Sequence, residues 1–163
     1  MPVVDCVKNT EDLSLTIVAE LAAPVERVWR IWSDPRQLER WWGPPTWPAT
    51  FQHYDFRPGG RARYYMTGPE GQRAHGWWEL LSIEAPTALT FRDGFAHPSG
   101  EPVDPDDTFT CVVMLDPMAG GTRMTTRTTF RSTDQLDQHL AMGAIEGMTG
   151  AAGQIARLLE EVA

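Results

Sequence analysis

Four histidines, His53, His75, His97 and His139, are the side chains best suited to moving protons near neutral pH. None stands beside another His, a Cys or a carboxylate at helical or CxxC spacing, so the sequence points to no metal site. His53 and Asp55 share one face of a strand about 7 Å apart, too far for a direct dyad unless a neighbouring strand completes it. His75 and Glu79 share a face in the same way but lie further apart. An acid or base could be assembled across strands from His75, Glu79, Tyr64 and Tyr54, yet no motif compels it. There is no GxSxG, no Gly-rich phosphate loop opening a helix and no Cys-His signature. Arg57-Pro58-Gly59-Gly60-Arg61 is Gly-rich but joins two strands and reads as a hairpin turn. Cys6 and Cys111 allow at most one disulfide; Cys111 lies inside an apolar strand pattern and reads as a buried thiol. The residues nominate no catalytic set and no cofactor, and they weigh against an enzyme without excluding one.

Positioning these side chains requires a sheet. The alternation of Leu13, Leu15, Ile17, Ala19 and Leu21 predicts a first strand, with residues 1–12 before it read as an N-terminal tail and 13–163 as one domain. Pro24, Glu26 and the set Val25, Val28, Trp29, Trp32 predict a short helix ending near Ser33. Asp34-Pro35 restarts the chain into a second short helix carrying Leu38, Trp41 and Trp42, and 43–48 is a stiff proline loop holding Trp47. Period-two patterns between turns then predict six antiparallel strands over 50–57, 61–67, 73–83, 88–95, 108–115 and 122–131. After the cap cluster Ser132-Thr133-Asp134, the stripe Leu140, Ala144, Met148, Ala151, Ile155, Leu158 and Val162 predicts one long helix. At 1.5 Å per residue it would span roughly 42 Å, about the width of the whole domain. A sheet can cover such a helix only by curving round it: an α+β helix-grip fold, with the two short helices closing one end.

Composition narrows the partners. The chain has 163 residues, 42% hydrophobic and 22% charged, with 14 basic against 22 acidic side chains and a net charge of −8. A phosphate-binding surface would have to be built against that field, which argues against nucleic acid. No apolar run reaches the roughly 20 residues needed to cross a bilayer, and the N-terminus lacks the flanks of a secretion signal, so a cytoplasmic protein without membrane insertion is expected. Lys8 is the only lysine, a bias matching a GC-rich bacterial coding sequence. Seven Trp, six Phe and three Tyr either fill a core or line a cavity.

Asp34-Pro35 followed by Leu38, Trp41-Trp42-Gly43-Pro44, Arg57-Pro58-Gly59-Gly60-Arg61, Gly68-Pro69-Glu70-Gly71, the strand end 81–86 and Gly120-Gly121-Thr122-Arg123 resemble, in order and spacing, the AHSA-type family. That family is named for similarity to the activator of the heat-shock chaperone's ATPase. It sits in the START-like superfamily with polyketide cyclases, pollen-allergen-type proteins and lipid-transfer domains. The resemblance implies a helix-grip fold with an apolar cavity between the long helix and the sheet, and superfamily members bind, carry or alter hydrophobic molecules. Fold alone does not choose among these. Where members carry a bulky aromatic after the Glu-Gly step of the last helix, this chain has Glu146-Gly147-Met148.

With Gln52, Tyr54 and Phe56 assigned inward and Phe51, His53 and Asp55 outward, the expected ligand-binding set is Trp42, Tyr54, Phe56, Tyr64, Met66, Trp78, Met124, Thr126, Thr128 and Met148. Trp77 and Trp78 point to opposite faces, so only one can line a cavity; a filled core is the alternative for each residue. Gly143, Gly147, Gly150 and Gly153 would each cost about 1 kcal/mol in a helix interior, which calls for a close-packing seam, the favoured reading, or a cavity wall. The acidic loop 96–107 is expected to be solvated; as a lid at the cavity mouth it would disfavour anionic ligands. Three functions remain open. The leading one is non-catalytic binding of a small hydrophobic or aromatic molecule. A cavity enzyme of cyclase or hydrolase type would need two of Tyr54, Tyr64, His75, Glu79 and Thr128 to meet within hydrogen-bond reach. A co-chaperone-like interaction module would need a filled interior and an exposed apolar patch, at Trp47 or Met142. A homodimer is compatible with all three.

Overall fold

Alternation buries Leu15, Ile17, Ala19 and Leu21 on one face of a strand and leaves Thr16, Val18 and Glu20 half-buried on the other. The computed structural model describes residues 3–161 and places this strand second of eight in one curved antiparallel sheet. The strands are β1 (Val3–Asn9), β2 (Ser14–Leu21), β3 (Ala49–Tyr54), β4 (Arg61–Thr67), β5 (Arg73–Glu84), β6 (Ala88–Phe95), β7 (Thr108–Met118) and β8 (Gly121–Thr129). Their order across the sheet is β1-β2-β8-β7-β6-β5-β4-β3, so β3 to β8 form a meander and the β2–β8 pairing brings the last strand back to the start. The N-terminal tail expectation is corrected by β1, which pairs with β2 along Val3 to Asn9 and forms one edge. Its side chains from Asp5 to Asn9 are all exposed, so no apolar face announced it in the sequence.

Between β2 and β3 lie α1 (Val25–Ser33) and α2 (Pro35–Leu38). Helix α1 has an acidic first turn at Glu26 and a basic last turn at Arg30, both suited to its dipole, and it packs on β7 and β8. Asp34 caps α2 by accepting from the Arg36 N–H at 2.9 Å, with Pro35 in the first turn. The expected extension of α2 through Trp41 and Trp42 stops at Leu38: both tryptophan N–H groups turn back to the Leu38 carbonyl, at 3.2 and 3.0 Å.

The long C-terminal helix is interrupted into α3 (Thr133–Ala141), α4 (Ala144–Ala152) and α5 (Ile155–Glu161). Ser132 caps the first by accepting from the Gln135 N–H at 3.0 Å. The break after Met142 is Gly143 at φ +84°, a left-handed conformation that only glycine adopts cheaply. At Gly153 the backbone stays in the helical region, and only the turn Gly153-Gln154 separates α4 from α5. Val162, the last position of the apolar stripe, lies outside the described residues. Helix α4 packs on β1 and β2, and the main core forms between the sheet, α1 and the C-terminal helices. Among the described residues no helix is long and apolar enough to cross a membrane.

Candidate functional site

An apolar cavity of about 310 Å³ lies between the concave face of the sheet and α3–α4. Strand alternation sends Tyr64 and Met66 from β4, Phe91, Asp93 and Phe95 from β6, Phe109 and Cys111 from β7, and Met124, Thr126 and Thr128 from β8 into its wall. The turn after α2 adds Trp41, Trp42 and Pro44, while α3 and α4 close the roof with His139, Ala144, Gly147, Met148 and Ala151. Phe95 and Met142, 44% and 57% exposed, mark where the cavity reaches the surface.

Seven of the ten expected residues therefore border one space: Trp42, Tyr64, Met66, Met124, Thr126, Thr128 and Met148. Tyr54, Phe56 and Trp78 do not. The Tyr54 hydroxyl donates to the Trp32 carbonyl at 2.6 Å, and Phe56 packs edge-on to Trp29 and stacks on Tyr54, so both belong to the closed end of the grip. Trp78 is fully buried behind Phe91, with ring centroids 3.9 Å apart. The inward assignment of β3 is also corrected. A bulge between Phe51 and His53 shifts the register by one residue, so Phe51 is buried and Gln52 exposed, while Tyr54 beyond the bulge still faces the core.

The polar centre of the cavity is Asp93, which sequence reasoning passed over. It is 4% exposed, its Oδ1 accepts from the Tyr64 hydroxyl at 2.9 Å, and burial pushes its carboxyl up to about 7. Burial, with Asp93 alongside, pushes the Tyr64 hydroxyl well above its ordinary range. Burial likewise raises the Cys111 thiol to about 12, which makes it the inert, buried thiol expected; both cysteines are free. The indole N–H groups of Trp42 and Trp78 are buried without a hydrogen-bond partner. Room for Tyr64 comes from its cross-strand partner Gly76: a Cβ there would lie 2.3 Å from the phenol ring. The available signal for Asp93 was its place on the same face as Leu89 and Phe91, where an alternating strand puts apolar residues.

The dyads considered from the sequence do not form. His53 and His97 are exposed, and Asp55 binds Arg57. His75 borders the cavity, but its ring lies 5.7 Å from Tyr65, its cross-strand partner on the outer face. Glu79 is held by Arg92. No hydrogen bond joins any two of Tyr54, Tyr64, His75, Glu79 and Thr128. His139, stacked among Phe95, Phe109 and Phe130, has its imidazole lowered by burial. Among the described residues no cluster could hold a metal ion.

Two further expectations change. The acidic loop 96–107 borders none of the cavity and folds against the outer face. There Glu101 pairs with Arg63 at 3.0 Å and the Pro105 carbonyl accepts from Arg92 at 3.4 Å, beside the buried Trp77. The close-packing reading of the glycine seam fails at Gly147, where an added Cβ would meet nothing within 4 Å. It holds only in ordinary contact at Gly150, where Pro44 and Pro45 lie 3.7 and 3.6 Å away. Gln154 ties the same proline loop down by donating to the Gly43 carbonyl at 2.7 Å.

A curved antiparallel sheet gripping C-terminal helices, with an apolar space between them, defines a START-like α+β protein. The chain belongs to the family described as Activator of Hsp90 ATPase homolog 1-like protein, which it matches over residues 22–160. It is similar to a protein from Arthrobacter aurescens solved by solution NMR, at 53% identity over 98% of this chain and 93% of that one, with a TM-score of 0.92. A crystal structure from Mycobacterium smegmatis is 46% identical over 97% of both chains, TM-score 0.89. One from Nitrosomonas europaea is 28% identical over 95% of this chain and 99% of that one, TM-score 0.80. No curated protein matches.

Proposed function

We propose that this protein binds a small hydrophobic or aromatic molecule in the cavity between sheet and C-terminal helices, without catalysis. The observation that carries the reading is a 310 Å³ space walled by Trp, Phe and Met with a single buried acid–phenol pair, within the size range of small-molecule pockets. An interaction module of co-chaperone type needs a filled interior, which this space does not favour. The acid–base enzyme has no hydrogen-bonded pair among the residues it required; only Asp93 beside Tyr64 offers it a group. Titration calorimetry with 1-methylnaphthalene is expected to give saturable one-to-one binding, lost when Thr126→Phe fills the cavity while circular dichroism is unchanged. Absence of binding, or equal binding by the filled variant, overturns the reading. Native mass spectrometry of the purified protein would identify a co-purified ligand and report whether the chain is a homodimer.

A further inference from the structure

Among the described residues Asp93 is the only carboxylate in the cavity wall, and no basic side chain forms an ion pair with it; Arg92 pairs with Glu79 instead. The sheet ladder sets Trp78 on one side of it and Phe109 on the other, so the acid sits in a row of aromatic residues. Arg92, the next residue, points to the outer face and is held there by Glu79 at 2.9 Å. The Tyr64 hydroxyl and the Gly94 N–H donate to Asp93, and the Trp78 indole N–H lies alongside and also favours its ionised form. An ionised carboxylate has about four acceptor sites, so capacity for a further donor remains, and Asp93 shares the cavity wall with Trp42, Tyr64 and Phe91. Aromatic faces attract a cation and repel an anion, and a buried carboxylate does the same. The net charge of −8 adds a field of that sign at long range.

We propose that the cavity is a receptor for hydrophobic amines: a protonated nitrogen donates to Asp93 and lies against the ring faces of Trp42, Tyr64 and Phe91, while an apolar body extends toward Met124 and Met148. The inference rests on the binding reading above and deepens it by naming the ligand class. It also makes binding proton-linked. Burial pushes the Asp93 carboxyl up to about 7, so raising the pH toward 8 prepares the anion the ammonium needs. The groups facing Asp93 are Tyr64 from β4 and Cys111 from β7, both neutral throughout this range; β5 contributes Trp78 beside it and His75 to the same cavity wall. Across the cavity α3 contributes His139, whose loss of charge acts in the same direction, and α4 lines the space with no titratable group.

The test is calorimetry with four matched probes on the wild-type protein: 1-naphthylmethylamine, 1-naphthalenemethanol, 1-naphthylacetate and 1-methylnaphthalene. At pH 8 the amine is expected to bind at least about tenfold more tightly than the alcohol, and the acetate most weakly. The amine's affinity should rise between pH 5.5 and 8 while the alcohol's stays level. In Asp93→Asn the amine's advantage over the alcohol should shrink to below about threefold, and most of its pH dependence should disappear. Acetate binding as tight as the amine's, or an amine preference that survives in D93N, overturns the assignment. Hydrocarbon binding without amine preference overturns this inference and leaves the cavity reading standing. Failure of all four probes overturns both. The wild-type series stands by itself if D93N does not fold.

Discussion

Asp93 costs the fold stability at the pH where it is ionised, and the size of that cost can be measured. Its carboxyl ionises near the ordinary value of 3.8 in the unfolded chain and at about 7 in the folded one. Between those values the native state holds the extra proton. The contribution is therefore fully present below about pH 4 and is lost as the pH rises through 7. A shift of this size corresponds to about 4 kcal/mol as an upper figure. Asp93→Asn removes the titration and keeps an acceptor for the Tyr64 hydroxyl. The variant is expected to gain on the wild type by roughly 2–4 kcal/mol between pH 4 and pH 8, read from urea unfolding at both. A difference that does not change with pH would sink the claim that the acid is buried without a counter-charge. The same residue illustrates what a sequence conceals. One carboxylate on an alternating strand signals nothing by itself, because its partner Tyr64 comes from a different strand, 29 residues away.

Helix α4 is where the function of an element and its stability pull apart. Gly147 faces open space inside the cavity, so an added Cβ there meets no atom within 4 Å and a non-glycine residue gains helix propensity of about 1 kcal/mol. Gly147→Leu is expected to keep or raise the melting temperature and to abolish binding of 1-methylnaphthalene. A sharp fall in melting temperature would return the glycine seam to close packing. The strands from β2 onward and α1 were readable from the sequence, since burial of one face imposes a period that Leu15, Ile17, Ala19 and Leu21, or Met124 and Thr128, display directly. The inward rows of β4 and β8 gave Tyr64, Met66, Met124, Thr126 and Thr128 for the same reason. What escaped depends on single backbone events. The bulge at Gln52 inverted Phe51, and the left-handed Gly143 broke a stripe whose apolar spacing runs on unaltered through the break. Tyr54, Phe56 and Trp78 were inward as expected, but inward residues divide between cavity and closed core according to which neighbour reaches over them. Trp32 and Phe91 do that here.

At the scale of the whole molecule, β1 forms one edge of the sheet and β3 the other. Strand β1 pairs with β2 over most of that strand's length and touches α4, yet its residues from Asp5 to Asn9 are exposed and bury little apolar surface. Burial contributes roughly 25 cal/mol per Å² of apolar surface, so an exposed strand adds little by that route. Its main effect is to satisfy the β2 backbone. Without it, the N–H and C=O groups of Leu15 to Ala19 would line an open edge beside the cavity-bearing half of the sheet, a template for pairing with a second copy. A variant lacking β1 is therefore expected to lose only about 1–2 kcal/mol, a few degrees in melting temperature, but to associate. Sedimentation velocity should show a concentration-dependent species larger than any the full chain forms at equal concentration. A variant that sediments and melts with the wild type would show that β1 neither seals nor stabilises the sheet. One that melts far lower would show instead that the contact with α4 carries the strand's contribution. The roof of the cavity would then depend on the edge strand, and probe binding would fall with the melting temperature.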